Sequence, residues 1–180
     1  MDLFSYNVYK GNIFKELVKT LLEENGYDAM PYGYENQFSN IKRNLKDKHT
    51  ETALRIRCSP DLLIYDDEEK DVKLVEVKMS KNEYISTKKI EDYQKYWKDA
   101  LIVAVVNFEN VFYAEEIRKL GIKGFYSPKS DFRCIQEVFP RIKTDCLEGY
   151  QAIARKLLIA TESRKDDKEE LNSIDQEIKK

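Results

Sequence analysis

The stretch from Ser59 to Ser80, SPDLLIYDDEEKDVKLVEVKMS, constrains this chain more than any other. Leu62, Leu63, Ile64 and Tyr65 form one apolar run and Leu74, Val75 and Val77 another, and the acidic DDEEKD between them suits only an exposed turn. The pattern predicts a β-hairpin. Side chains on a strand alternate faces, so Glu76 and Lys78 project to one side, and pairing across the hairpin brings Asp61 beside them. Two carboxylates at one point repel unless a cation joins them. Hard oxygen ligands of this kind suit Mg²⁺, which keeps several waters while bridging to substrate phosphates. Lys78 would then position or deprotonate the attacking water. An ordinary surface hairpin carries the same letters, with Glu76 and Lys78 as an exposed pair contributing only a few tenths of a kcal/mol. Against that reading, Glu76 lies inside LVEVKM, where a buried carboxylate without a partner costs several kcal/mol.

With 180 residues and 42% hydrophobic content, the chain can bury one sizeable core. The expectation is a single domain over residues 1–162 followed by a charged tail or helix over residues 163–180. The formal charge is only −2, yet 36% of residues are charged, so a basic surface for nucleic acid can coexist with acidic regions. Cys58, Cys134 and Cys146 are odd in number and widely spaced, which argues against a disulfide framework or a zinc ribbon. No basic and apolar leader opens MDLFSYNVYKG, and no apolar run approaches the roughly 18 residues a membrane span needs. These features together predict a soluble, cytoplasmic protein with no membrane partner.

Ile13, Phe14, Leu17, Val18, Leu21 and Leu22 recur at helical spacing, which predicts a helix from Asn12 to about Asn25 with Gly26 as its stop. The segment YDAMPYGYE supplies a first strand that Pro31 and Gly33 restrict to an edge or a bulge. Next comes the most basic part of the chain, carrying Lys42, Arg43, Lys46, Lys48, Arg55 and Arg57 with little apolar periodicity before Ala53. It suits phosphate contacts, which add affinity by counterion release, and it suits a solvated connector equally well. His49, the only histidine, sits there as a loop residue. Beyond the hairpin, Ile90, Tyr93, Trp97 and Ala100 predict a helix over Thr87 to Ala100, feeding the buried strand LIVAVVNF, with Trp97 in the core rather than stacked on a base. The segment AEEIRKLG reads as a short helix capped by Gly121, and IKGFYSP as a last strand ended by Pro128. Further on, CIQEVFPRI suggests a turn of helix, and LEGYQAIARKLLIA an amphipathic helix ending near Thr161. In the tail only Leu171, Ile174 and Ile178 are apolar along a thin helical stripe, which fits a partner-binding or homodimer helix and a frayed end alike.

Pro60-Asp61 together with Glu76-Val77-Lys78 resembles the signature of the PD-(D/E)XK nuclease superfamily. The helix GNIFKELVKTLLEENGY is similar to the opening helix of its restriction-endonuclease-like and Holliday-junction-resolvase-like branches, and the resemblance runs from about Tyr9 to Pro128. A methyl-directed-restriction-like nuclease fits the same motifs. The chain departs from the pattern at one place: the family's helical Glu falls on Lys15, and Glu16 lies about 100° further around the helix, so Glu16 is not counted as a ligand. The resemblance implies an α/β fold with a restriction-endonuclease-like core, a central mixed β-sheet flanked by helices in the order αβββαβαβ, and a C-terminal helical extension. It also implies a Mg²⁺- or Mn²⁺-dependent endonuclease acting on DNA, with branched or otherwise structured DNA among its candidate substrates. Asp61 and Glu76 would be metal ligands with the Val77 carbonyl as a further one, and Lys78 would orient water and stabilise charge. Lys88, Lys89 and Gln94 on the second helix would face substrate. A different class of answer is a catalytically inactive protein that keeps the fold as a nucleic-acid-binding or assembly module, and Lys15 is the feature that favours it.

Overall fold

A hairpin of two antiparallel strands, β2 (Leu62–Asp66) and β3 (Asp71–Ser80), carries the SPD…EVK stretch as expected. The structure, a computed structural model, describes residues 3–33, 50–80, 84–86, 90–108, 110–121 and 123–160. In the hairpin turn Asp66 Oδ1 accepts the backbone N–H groups of Glu68 and Glu69, at 3.1 and 3.2 Å, and Lys70 takes φ 52° to close it. The helix α1 spans Leu3–Glu24, longer at its start than the apolar stripe alone predicts, and ends where Gly26 adopts φ 82°. The first strand β1 (Asp28–Pro31) lies at the sheet edge, where Pro31 leaves no ladder bond unmade.

Among the described residues, the ten residues of β3 feed the centre of a six-stranded sheet with the order β1, β2, β3, β5 (Leu101–Val106), β6 (Phe112–Glu116), β8 (Arg133–Cys134). β5 runs parallel to β3, and β6 and β8 continue the sheet antiparallel. A parallel pair requires a crossover, which here carries β4 (Ile85–Ser86) and a short helix. Because β5 is buried on both faces, its side chains read as the unbroken run LIVAVV. One face packs Val75, Val77, Val103 and Val105 against Phe14, Val18 and Leu21 of α1. The opposite face packs Ile102, Ala104 and Val106 with Ile90, Ile117 and Tyr126. A C-terminal helix over residues 144–160 covers the first face through Leu147, Ala154 and Leu158. The architecture is thus the mixed α/β sheet flanked by helices that the sequence predicts.

Several elements correct the sequence reading. A helix α2 (Glu51–Arg57) occupies part of the expected basic connector, started by the Thr50 side chain accepting the N–H of Ala53. Of the helix expected over Thr87 to Ala100, residues 87–89 lie outside the described residues, and among the described ones Glu91–Tyr96, here α3, is helical. The expected helix AEEIRKLG is instead the end of β6 followed by a 3-10 turn at Ile117–Lys119, because Phe112, Tyr113 and Ala114 bury themselves in the ladder beside β5. Of the expected last strand, the described residues form β7 (Phe125–Tyr126), which pairs with β4 in a separate two-stranded sheet. Helical turns at Pro128–Asp131 (α4) and Ile135–Val138 (α5) then flank β8. Among the described residues no helix is long and apolar enough to cross a membrane. Residues 163–180 lie outside the described residues.

Candidate active site

The hairpin register pairs Leu62 with Val75, so Asp61, one residue before β2 begins, falls opposite Glu76. At that point the Asp61 side chain takes over from the ladder: its Oδ2 accepts the backbone N–H of Val77 at 2.9 Å. The Asp61 carbonyl accepts the N–H groups of Tyr32 at 2.8 Å and Gly33 at 3.3 Å, which anchors the chain leaving β1. Asp61 is 7% exposed. Its other oxygen, Oδ1, is 2.6 Å from the ammonium of Lys15 on α1.

Glu76 follows the alternation of β3 onto the α3 face and is 3% exposed. Its Oε1 is ion-paired with Lys78, two residues along on the same face. Lys78 is held in turn by Tyr93 of α3, whose hydroxyl is 3.4 Å from the ammonium and whose ring centroid is 4.7 Å away. Among the described residues, Glu76 Oε2 is buried with no hydrogen bond of sound geometry, although the Tyr93 hydroxyl lies near enough for the two groups to shift each other's titration. Burial, and after it the charge of Asp61, pushes the Glu76 carboxyl up to about 7, with Lys78 opposing the rise. Burial and Glu76 push the Tyr93 hydroxyl far above the ordinary phenol range, which keeps it a neutral donor. Cys58 nearby is pushed up to about 11, chiefly by burial, so it is no nucleophile at neutral pH.

The buried pair Asp61 and Glu76 fits a hard cation on two counts. Glu76 presents an oxygen with no sound partner, and the charge of Asp61 adds to burial in raising its carboxyl, a repulsion that a cation between the two would relieve. The donor set is lean, however: no cluster of three or more acidic, His or Cys side chains is present among the described residues, so further ligands would be backbone carbonyl and water. α1 supplies no carboxylate, since Glu16 is 65% exposed and turned to Lys19.

The predicted site residues divide into four groups. Asp61, Glu76, Val77 and Lys78 come together at the end of the hairpin. Arg55 and Arg57 are exposed on α2, with the Arg55 guanidinium 5.4 Å from the centroid of the half-buried Trp97 ring. Lys42, Arg43, Lys46, Lys88 and Lys89 lie outside the described residues. Gln94, expected toward substrate, instead donates to the Leu120 carbonyl at 2.9 Å and to the Tyr126 hydroxyl at 3.3 Å, so it holds α3 to the turn after β6. Sequence reasoning missed Tyr93 as a site residue because its helical spacing with Ile90 and Trp97 reads as core. Its phenol oxygen on an otherwise apolar stripe was the available signal.

No family model and no curated protein matches the chain. Among solved structures it is similar to Hjc from Archaeoglobus fulgidus, a Holliday junction resolvase from an archaeal hyperthermophile, at 14% identity and a TM-score of 0.46, over 71% of this chain and 98% of that one. Nothing about the chemistry here follows from a likeness at that level. It follows from the residues.

Proposed function

We propose that the chain is a metal-dependent nuclease of the PD-(D/E)XK kind that hydrolyses phosphodiester bonds in DNA. The observation that carries this reading is the meeting of Asp61, Glu76 and Lys78 at one point, with a buried Glu76 oxygen that has no sound partner. Asp61 and Glu76 would hold Mg²⁺ or Mn²⁺, with the Val77 carbonyl as a further ligand. When bound, the ion supplies Lewis-acid activation of the phosphoryl group and of water. Lys78, restrained by Tyr93, orients the attacking water and stabilises negative charge as it develops on the phosphoryl oxygens. Arg55 and Arg57, with Lys42, Arg43, Lys46, Lys88 and Lys89, serve as phosphate contacts that position the duplex without reading its sequence. The test is metal-dependent nicking of supercoiled plasmid by the purified protein. Nicking that needs Mg²⁺ or Mn²⁺ and disappears in Glu76→Gln supports the reading, and no cleavage of plasmid, linear or branched DNA in either metal overturns it.

A second reading has its own observation. The Lys15 ammonium on Asp61 is where a third carboxylate would help hold a metal, which favours a nuclease-fold protein that binds nucleic acid without cutting it. Binding of branched or linear DNA without cleavage would select it.

A further inference from the structure

Among the described residues, the two buried carboxylates of the centre are each matched by one ammonium: Lys15 on Asp61 and Lys78 on Glu76. With both acids ionised the four side chains sum to zero formal charge, so a divalent cation entering this arrangement meets two resident cations and no excess of negative charge. The two lysines differ in what they obstruct. Lys78 takes Glu76 Oε1 and leaves Oε2 without a sound partner. Lys15 takes Asp61 Oδ1, while Oδ2 is committed to the Val77 N–H, so neither oxygen of Asp61 is left over. α1 offers no compensating acid, because the neighbouring Glu16 is turned away to Lys19.

We propose that Lys15 is the centre's built-in counter-cation, which competes with a divalent metal for Asp61 and sets how tightly the metal is held. This inference rests on the reading of Asp61 and Glu76 as metal ligands, and extends it to a residue that reading does not use. At 28% exposure, Lys15 borders solvent and has a route off Asp61 when a dication arrives. Metal binding is therefore an exchange of one cation for another. Its cost is the separation of Lys15 from a nearly buried carboxylate together with like-charge repulsion from the lysine that remains close. A neighbouring like charge shifts proton affinity by about 1 to 3 pKa units, that is about ten- to a thousandfold, and a dication should feel at least the lower end.

The experiment is a calorimetric titration of Mn²⁺ into wild type, Lys15→Gln and Lys15→Arg without DNA, with thermal melts of each protein in EDTA. The proposal expects Lys15→Gln to bind Mn²⁺ at least about tenfold tighter than wild type. Lys15→Arg, which keeps the charge at any working pH, should stay close to wild type. In EDTA, Lys15→Gln should melt below wild type, and saturating Mn²⁺ should raise its midpoint by more than it raises the wild-type midpoint. Lys15→Met, which keeps most of the alkyl stem, carries the same expectation should Lys15→Gln fail to fold. A folded, neutral Lys15 variant that binds Mn²⁺ no tighter than wild type overturns the proposal, as does an absence of Mn²⁺ binding in every variant. The titration involves no cleavage, so tighter Mn²⁺ binding by Lys15→Gln beside a wild type that never cuts DNA would sink the nuclease reading alone.

Discussion

The backbone N–H of Val77 donates to Asp61 Oδ2 at 2.9 Å, so one carboxylate both ends the β2–β3 ladder and faces the candidate metal position. The two roles separate by substitution. Asp61→Asn retains an oxygen for Val77 but loses the charge, and should fold near wild-type stability while giving smaller heats on Mn²⁺ titration. Asp61→Ala leaves Lys15 without its carboxylate, as Asp61→Asn does, and in addition strands a buried N–H, which costs about 1 to 3 kcal/mol. It should show a clearly lower denaturation midpoint than Asp61→Asn. Equal Mn²⁺ heats for wild type and Asp61→Asn would remove Asp61 from the metal site.

Glu76 makes stability depend on pH in a direction that can be worked out. Its carboxyl titrates near 7 in the folded chain, against 4.5 for an ordinary glutamate. Between those values the folded state holds more protons than the unfolded one, so in metal-free buffer stability falls as pH rises. The contribution of protonated Glu76 is fully present below the unfolded value and is lost as pH passes the folded one. The scale is about 3 kcal/mol as an order of magnitude. Urea midpoints from pH 5 to 8 should decline in wild type, and the decline should flatten in Glu76→Gln. Parallel slopes in the two proteins would assign the effect to another group.

What the sequence discloses and what it hides follow one physical division. The α1 stripe of Phe14, Val18, Leu21 and Leu22, the hairpin and the LIVAVV strand are legible because short-range periodicity encodes which face is buried. β6 is not legible, because Glu115 and Glu116 look solvent-facing in sequence. Glu115 is in fact buried with two hydrogen bonds from Arg133, at 3.0 and 2.8 Å, a pairing 18 residues apart. α2 buries only Ala53, too little to produce a periodic signal. The meeting of Asp61, Glu76 and Lys78 was legible in the hairpin pattern, whereas the placing of Lys15 on Asp61 depends on how α1 packs across the sheet.

Arg141 joins the hairpin turn to the segment before the C-terminal helix. Its guanidinium lies 3.0 Å from Asp66 Oδ1 and 2.8 Å from Asp67 Oδ1, and 4.0 Å from the centroid of the Tyr27 ring. Asp66 is buried, so Arg141→Met leaves a carboxylate with no charge partner among the described residues. Breaking such a pair often costs about 3 to 5 kcal/mol. The N–H groups of Glu68 and Glu69 still reach Asp66 Oδ1, which places the expected loss nearer about 2 to 3 kcal/mol. Chemical denaturation would measure it, and a loss under about 0.5 kcal/mol would reduce Arg141 to an ordinary surface cation.

The basic segment is tested through salt. If Lys42, Arg43 and Lys46 contact phosphates, replacing all three with Ala should weaken binding to every DNA sequence and make the slope of log K against log salt shallower by up to about 3 × 0.9 units. Folding should be unaffected. An unchanged slope would return the segment to solvent.

Lys78 distinguishes holding a metal from using it. An ammonium cannot ligate a dication, so its removal should leave Mn²⁺ binding intact or slightly tighter through relief of like-charge repulsion. Glu76 Oε1 then loses its ion pair, and the buried carboxylate depends still more on a bound cation, so metal should stabilise Lys78→Ala by more than it stabilises wild type. Cleavage should behave in the opposite way. Loss of a positioned acid–base group typically costs about 10² to 10⁴ in rate, and loss of charge stabilisation in a water-poor site can cost as much again. DNA affinity should barely change, because one contact among many phosphates contributes little. Single-turnover cleavage by wild type and Lys78→Ala, with DNA binding measured in Ca²⁺, decides the matter. A variant that cleaves at the wild-type rate would show that the Glu76-Val77-Lys78 chemistry is wrong. If neither protein cleaves any form of DNA while both still bind it, the inactive binding-module reading takes its place.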